Sequence, residues 1–320
     1  MNYLNDDKFY KSNLFETVGI IVFMIMYFLL GIHYIPLILL LFPTAFIIIG
    51  VRRGIIQSLL SLVIVCIVIM FTIDTLTGIL SFLLFSPVTA VIIYGMKSRK
   101  KPIEILAYST VIFFITTLLL YGYTQKISGV NIISQLEDSF KQILNVQVDM
   151  LKNMELTNYE ILRTKDLLES GYKYMLWILP AILIIFSLFM SYCNYYISVL
   201  TLRKIGIGVV NIPRFSKFRL PSNILAGTTV MFLGVLLIKG LKQPYYETLF
   251  LNLAVIVWVM FLIQGLSVID FYLIKLKLNL VIRIIFILIM GVLAPVGTVI
   301  SLLGISDIVF DFRKFRKLKS

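Results

Sequence analysis

Residues 52–101 read RRGIIQSLLSLVIVCIVIMFTIDTLTGILSFLLFSPVTAVIIYGMKSRKK. Two apolar runs, 54–73 and 76–96, flank Asp74 and Thr75, and each approaches the roughly 20 residues a helix needs to cross a hydrocarbon layer. Arg52 and Arg53 precede the first run, and Lys97, Arg99, Lys100 and Lys101 follow or close the second. This is the pattern of two membrane helices that turn tightly on one side and keep their cations on the other. Asp74 reads as the cap of the second helix, with a lesser reading as a ligand-facing carboxylate.

The same ruler, moved outward, marks further apolar segments at 14–32, 35–50, 103–123, 173–200, 223–239 and 248–272. A last stretch, 279–310, is interrupted near Gly291 and Pro295 and reads as a hairpin of two short helices, the alternative being one long span plus an interfacial segment. The fold class is all-α: a polytopic integral membrane helical bundle of about 9–10 membrane segments. Composition agrees, with 60% hydrophobic and 14% charged residues and a mean hydropathy of +0.99. A soluble domain carries about 25% charged residues, so neither a soluble enzyme nor a disordered chain fits.

Charge sets the orientation. With the N-terminus inside, the loops on that side hold the six cations just named, then Arg203, Lys204, Arg214, Lys217 and Arg219, then Lys275 and Lys277. The short outer loops hold Lys239 and Lys242. Lys and Arg in short loops favour the cytoplasmic face, so both termini are expected in the cytoplasm. The net charge of +13 is therefore topological, and nucleic acid is not an expected partner.

The polar stretch 124–172 balances five basic against seven acidic residues and escapes that bias. Ile133, Leu136, Phe140, Ile143, Leu144 and Leu151 recur at helical spacing. Thr157-Asn-Tyr-Glu160 has the form of a capping box that would start a second helix. The pair reads as amphipathic helices on the outer membrane surface, or as a lid over a cavity. On the other side, the basic 203–223 loop suits an anionic inner leaflet or a cytoplasmic partner.

Few residues carry chemistry. His33 is the single histidine, and Cys66 and Cys193 lie inside apolar runs without ligand spacing. No Ser/His/Asp set, HExxH, P-loop or intramembrane aspartate pair occurs. The expectation is a non-enzyme with no cofactor and no metal. Asn194, Asn252 and Gln264 sit deep enough to need hydrogen-bond partners. Asp270 suggests a local pair with Lys275, and Asp307 and Asp311 suggest pairs with Arg313 and Lys314. Tyr34, Tyr121, Tyr123, Tyr172, Tyr174 and Trp177 gather at the outer ends, as an aromatic belt or as the wall of a pocket. For a small molecule the candidates are Tyr34, Asp74, Tyr121, Tyr123, Trp177 and Asn194; for a partner they are Arg214, Arg219, Asp307, Asp311 and Arg313.

The string LLGISDIVFDFRKFRK, 302–317, together with RKIGIGVVNIPRFSKFRLP, 203–221, resembles the YybS family of bacterial multipass membrane proteins, a family without an assigned reaction. YIPLILLLFPTAFIIIGVRRGIIQSLLS, 34–61, is similar to a run in the S components of energy-coupling-factor transporters. That second resemblance implies a six-helix bundle that captures a small molecule from outside, and a membrane coupling subunit as partner. Here, however, Gly19 is followed at four-residue spacing by Phe23, where S components place small residues for docking.

The resulting division is membrane helices in 1–123, an extracytoplasmic insert in 124–172, and a sixth helix in 173–202 completing the S-component-like bundle. A basic cytoplasmic loop, 203–223, leads to C-terminal helices and a basic tail, 224–320. The location implied is the bacterial cytoplasmic membrane. The partners implied are the lipid bilayer, a small-molecule ligand, and a coupling subunit or other cytoplasmic protein.

Overall fold

The computed structural model describes residues 3–129, 131–154, 156–210, 212–241 and 245–313. Among them are twelve α-helices and no strand. They are α1 (Tyr3–His33), α2 (Phe42–Arg53), α3 (Ile55–Thr72), α4 (Thr75–Lys97), α5 (Pro102–Ser128), α6 (Ile132–Lys152), α7 (Asn158–Trp177), α8 (Leu179–Lys204), α9 (Ile224–Gly240), α10 (Tyr246–Lys275), α11 (Leu280–Val292) and α12 (Ala294–Phe310). Proline opens α2, α5 and α12, a position where its missing N–H is not needed. The capping box at α7 forms as the sequence reads, with Thr157 and Glu160 each bonding the other's backbone N–H.

Among the described residues seven segments are long and apolar enough to cross a membrane: 16–33, 36–53, α3, α4, 102–127, α8 and α10. The count rises to eight if α11 and α12 are taken as one broken span. The sequence suggests nine or ten, and the difference lies in short elements. At about 1.5 Å per residue, the 17-residue α9 rises about 26 Å, below a typical hydrocarbon thickness of about 30 Å. The expected hairpin is a corner instead, with α11 and α12 bent by 105°. Leu293 breaks the helix with an extended backbone, φ −72 and ψ 100, two residues ahead of Pro295. The segment expected at 173–200 also begins later, because Tyr172 to Trp177 complete α7 and α8 starts at Leu179.

The helices show apolar side chains outward, as a bilayer requires. Phe71, for example, is 88% exposed. The chain divides into two compact units, Met1–Ser139 with Leu183–Ile212, and Phe140–Ile182 with Pro213–Ser320.

The first unit holds α1 to α5 and most of α8, with α2 at its centre. Phe42 is fully buried, and its ring centroid lies 5.2 Å from those of Phe28, Phe46 and Phe85. At one end of this unit Glu16 of α1 pairs with Arg52 and Arg53 at the end of α2.

The second unit is organised on α10 and α12. A Cβ at Gly304 would lie 2.1 Å from the Phe261 carbonyl oxygen, and one at Gly265 would lie 2.0 Å from that of Ile300. Both positions must be glycine for the backbones to approach this closely, the small-residue packing typical of membrane helices.

Candidate functional site

In the first unit α4 and α5 leave an open groove of about 360 Å³. Thr77, Leu80, Ser81 and Leu84 line it from α4, and Thr117, Leu120, Tyr121 and Thr124 from α5. Most of the hydroxyls are occupied. Thr117 donates to the Phe113 carbonyl at 2.8 Å, Tyr121 to Asn131 Oδ1 at 2.9 Å, and Thr77 to Asp74 Oδ2 at 2.5 Å. The Ser81 hydroxyl has no partner among the described residues, so it is available within the groove.

Asp74 caps α4, accepting from the Thr77 N–H at 2.8 Å. The Thr77 hydroxyl and N–H hold its carboxyl below the usual carboxylate range. The charge therefore persists at the rim of the groove. Of the residues considered for a small molecule, Asp74 and Tyr121 meet here. Tyr123 and Tyr34 are exposed elsewhere on the first unit, at 45% and 78%.

Asn194 is fully buried in the same unit. Its Oδ1 accepts from Thr44 at 2.9 Å, and its Nδ2 lies 2.8 Å from the Leu40 carbonyl and 2.9 Å from that of Met190. The protein takes up both ends of this amide, which ties α8 to the turn before α2.

In the second unit Trp177 stands at the break between α7 and α8. Asn252 of α10 repairs that break. Its Nδ2 donates to the Trp177 carbonyl and its Oδ1 accepts from the Ala181 N–H, both at 2.7 Å. These are backbone groups orphaned where one helix stops and the next begins.

The densest polar constellation of the second unit joins α10, α12 and the 213–220 segment. Arg313 and Asp307 have fully buried side chains and pair at 2.8 Å. Arg313 also donates to the Ser216 carbonyl at 2.9 Å and to Ser267 Oγ at 2.8 Å. Gln264 donates to Asp307 Oδ2 at 2.7 Å and accepts from the Leu220 N–H at 3.0 Å. The Ser267 hydroxyl donates to the Phe215 carbonyl at 2.7 Å. A loop with no regular ladder thus has its backbone groups satisfied by three side chains, two from α10 and one, Arg313, from just beyond the end of α12. Beside it Arg219 pairs with Asp311 at 2.8 Å, whereas Arg214 and Lys217 are exposed.

These placements redraw several pairings. Asp270 is bonded by Arg283 of α11, whose Nε lies 2.9 Å away, and not by Lys275. The Lys275 ammonium instead lies over the rings of Phe271 and Tyr272. Asp307 takes Arg313, and Asp311 takes Arg219; Lys314 lies outside the described residues. Asp307 and Arg313 face inward, so of the residues considered for a partner only Arg214 stands fully open. Arg283 is the residue that sequence reading passes over. An arginine inside an apolar run demands an acid, and Asp270 at the end of the preceding helix is the nearest one. Among the described residues no three or more His, Cys, Asp or Glu side chains converge in a way that would hold a metal.

The chain is 22% identical over 219 residues to the uncharacterized protein YybS of Bacillus subtilis (strain 168), a match covering 67% of this chain and 69% of that relative. No solved structure matches it. A family model described as a predicted membrane protein, DUF2232, matches residues 19–308, a span that takes in the α4–α5 groove and Gln264, Ser267 and Asp307. The chain belongs to the DUF2232 family of predicted membrane proteins.

Proposed function

We propose that this protein binds a small molecule through its six-helix unit, as S components do, and that it performs no chemistry on it. The observation that carries this reading is the α4–α5 groove. It combines a persistent carboxylate at its rim, an available serine hydroxyl and a tyrosine in about 360 Å³. Small-molecule sites are concave, mostly apolar, and fitted with a few such polar groups. The occupant that suits it is a small organic molecule with a hydrogen-bonding edge. In this reading both termini are cytoplasmic, the groove faces outward, and the location is a bacterial cytoplasmic membrane. The cation-rich short loops support that orientation. Cysteine labelling at position 150 from outside intact cells tests it.

The binding itself is tested on purified protein. Mass spectrometry should find a co-purifying small molecule, and Ser81→Leu should abolish its retention while the protein stays folded. A protein with no bound molecule and no thermal shift across a vitamin panel would remove the reading.

A second reading is a scaffold that docks an acidic cytoplasmic partner. It rests on Arg214 and Lys217, which are exposed on a loop held in place by Arg313, Gln264 and Ser267. Neutralising Arg214 and Lys217 should release the partner in a crosslinking pulldown; an unchanged pulldown would exclude it.

A further inference from the structure

Because α11 and α12 part at 105°, they enclose with α10 a groove of about 490 Å³. Ile269, Tyr272, Phe286, Met290, Leu303 and Phe312 are among the residues that line it. The lining is apolar throughout except for the Tyr272 hydroxyl, which lies 3.4 Å from the Phe312 carbonyl. Its volume falls in the roughly 300–1,000 Å³ range of ligand pockets. Water does not fill such a space, because each buried water needs two or more polar partners. Hydrocarbon does.

The rim decides which hydrocarbon. Lys275 Nζ lies 5.4 Å from the centroid of Tyr272, a lining residue, and 4.8 Å from that of Phe271. The ammonium is thereby held at the edge of the groove, with Lys277 exposed two residues on. Asp270, the carboxylate close by on α10, is neutralised by Arg283. The mouth therefore carries uncompensated positive charge above an apolar slot, the arrangement by which basic pockets between membrane helices take anionic headgroups.

We propose that this groove is a binding site for one anionic phospholipid, with an acyl chain lying between α10, α11 and α12 and the phosphate meeting Lys275. The site belongs to the second unit and stands independently of the small-molecule reading of the first.

The test uses the full chain purified in detergent and titrated with phosphatidylglycerol or phosphatidylcholine under native mass spectrometry. One phosphatidylglycerol should be retained in preference to phosphatidylcholine. Lys275→Gln should weaken that retention about fivefold, and Leu303→Trp, which fills the slot, should eliminate it. Excess inorganic phosphate should leave the lipid bound, since the acyl chain anchors it. Equal retention of the two lipids, full retention by Leu303→Trp, or displacement by phosphate would each overturn the proposal. Should Leu303→Trp fail to fold, the unaltered protein decides. Phosphatidylglycerol with a photoreactive acyl chain should label Phe286, Met290 or Leu303, and labelling spread evenly over exposed apolar faces would overturn the assignment.

Discussion

Replacing Arg313 by alanine removes its hydrogen bonds to Asp307 at 2.8 Å, to Ser267 at 2.8 Å and to the Ser216 carbonyl at 2.9 Å. What remains matters more than what is lost. Asp307 has a fully buried side chain, and after the change the partner left to it among the described residues is the Gln264 amide. Breaking a buried pair from one side typically costs about 3–5 kcal/mol, because the surviving charge has neither water nor a partner. At roughly 2–4 °C per kcal/mol for a body of this size, Arg313→Ala should lower the melting temperature by about 6–20 °C. An exposed pair such as Lys152–Asp149 should cost about 0–1 kcal/mol when broken.

The assay is size-exclusion chromatography of purified protein after graded heating. It should include the second single variant, Asp307→Leu, and the double variant with Arg313→Met. Removing both charges leaves no unpaired charge, at the cost of the bonds to the Gln264 amide, Ser267 and the Ser216 carbonyl, so the double variant should be more stable than either single one. If Arg313→Ala lies within about 1 kcal/mol of the parent, or if the double variant is worse than both singles, the pair is not the buried lock described here.

Three other outcomes follow. Gly304→Ala should sharply reduce the yield of monodisperse protein, since its Cβ would meet the Phe261 carbonyl oxygen at 2.1 Å, whereas Gly19→Ala, with nothing within 4 Å, should leave yield unchanged. Asn252→Ala leaves the Trp177 carbonyl and the Ala181 N–H without their partner; about 1–3 kcal/mol should be lost, visible in the same heating assay. The Thr157 N–H and hydroxyl hold the Glu160 carboxyl below its ordinary value of 4.5. This stabilisation is complete above that ordinary value and fades as pH falls through the lowered one, so amide exchange in the first turn of α7, corrected for intrinsic rate, should accelerate on acidification, and Glu160→Gln, which removes the titrating carboxyl, should abolish that dependence.

How far the sequence reveals this architecture depends on the kind of information each feature needs. Run length suffices for α1, α3, α4, α5 and α10, because a bilayer imposes a minimum span. A local rule suffices for the start of α7, since the capping box is written in four consecutive residues. The partners of charged residues need more. Asp270 lies five residues from Lys275 and thirteen from Arg283, and only the turn of the chain between α10 and α11 makes the more distant cation the bonded one. The corner at Leu293 is likewise hidden, because Pro295 announces an interruption but not its angle. Helices that are apolar on every side show no preferred face, so the α4–α5 groove cannot be read from periodicity; Asp74 and Tyr121 point to it only through their residue types and their positions at helix ends.

The lock on the 213–220 loop also has a timetable. Ser216 is made early, and the arginine that fixes its carbonyl comes 97 residues later. At a synthesis rate of about 5–20 residues per second, the loop waits on the order of 5–20 s for its last ligand. During that interval Gln264 and Ser267 can already meet the 213–220 loop, but their bonds to Asp307 and Arg313 are still unmade. A chain that ends between positions 307 and 313 would therefore hold the Asp307 carboxylate without its cation and the Ser216 carbonyl without its donor, a buried charge that only the finished chain neutralises.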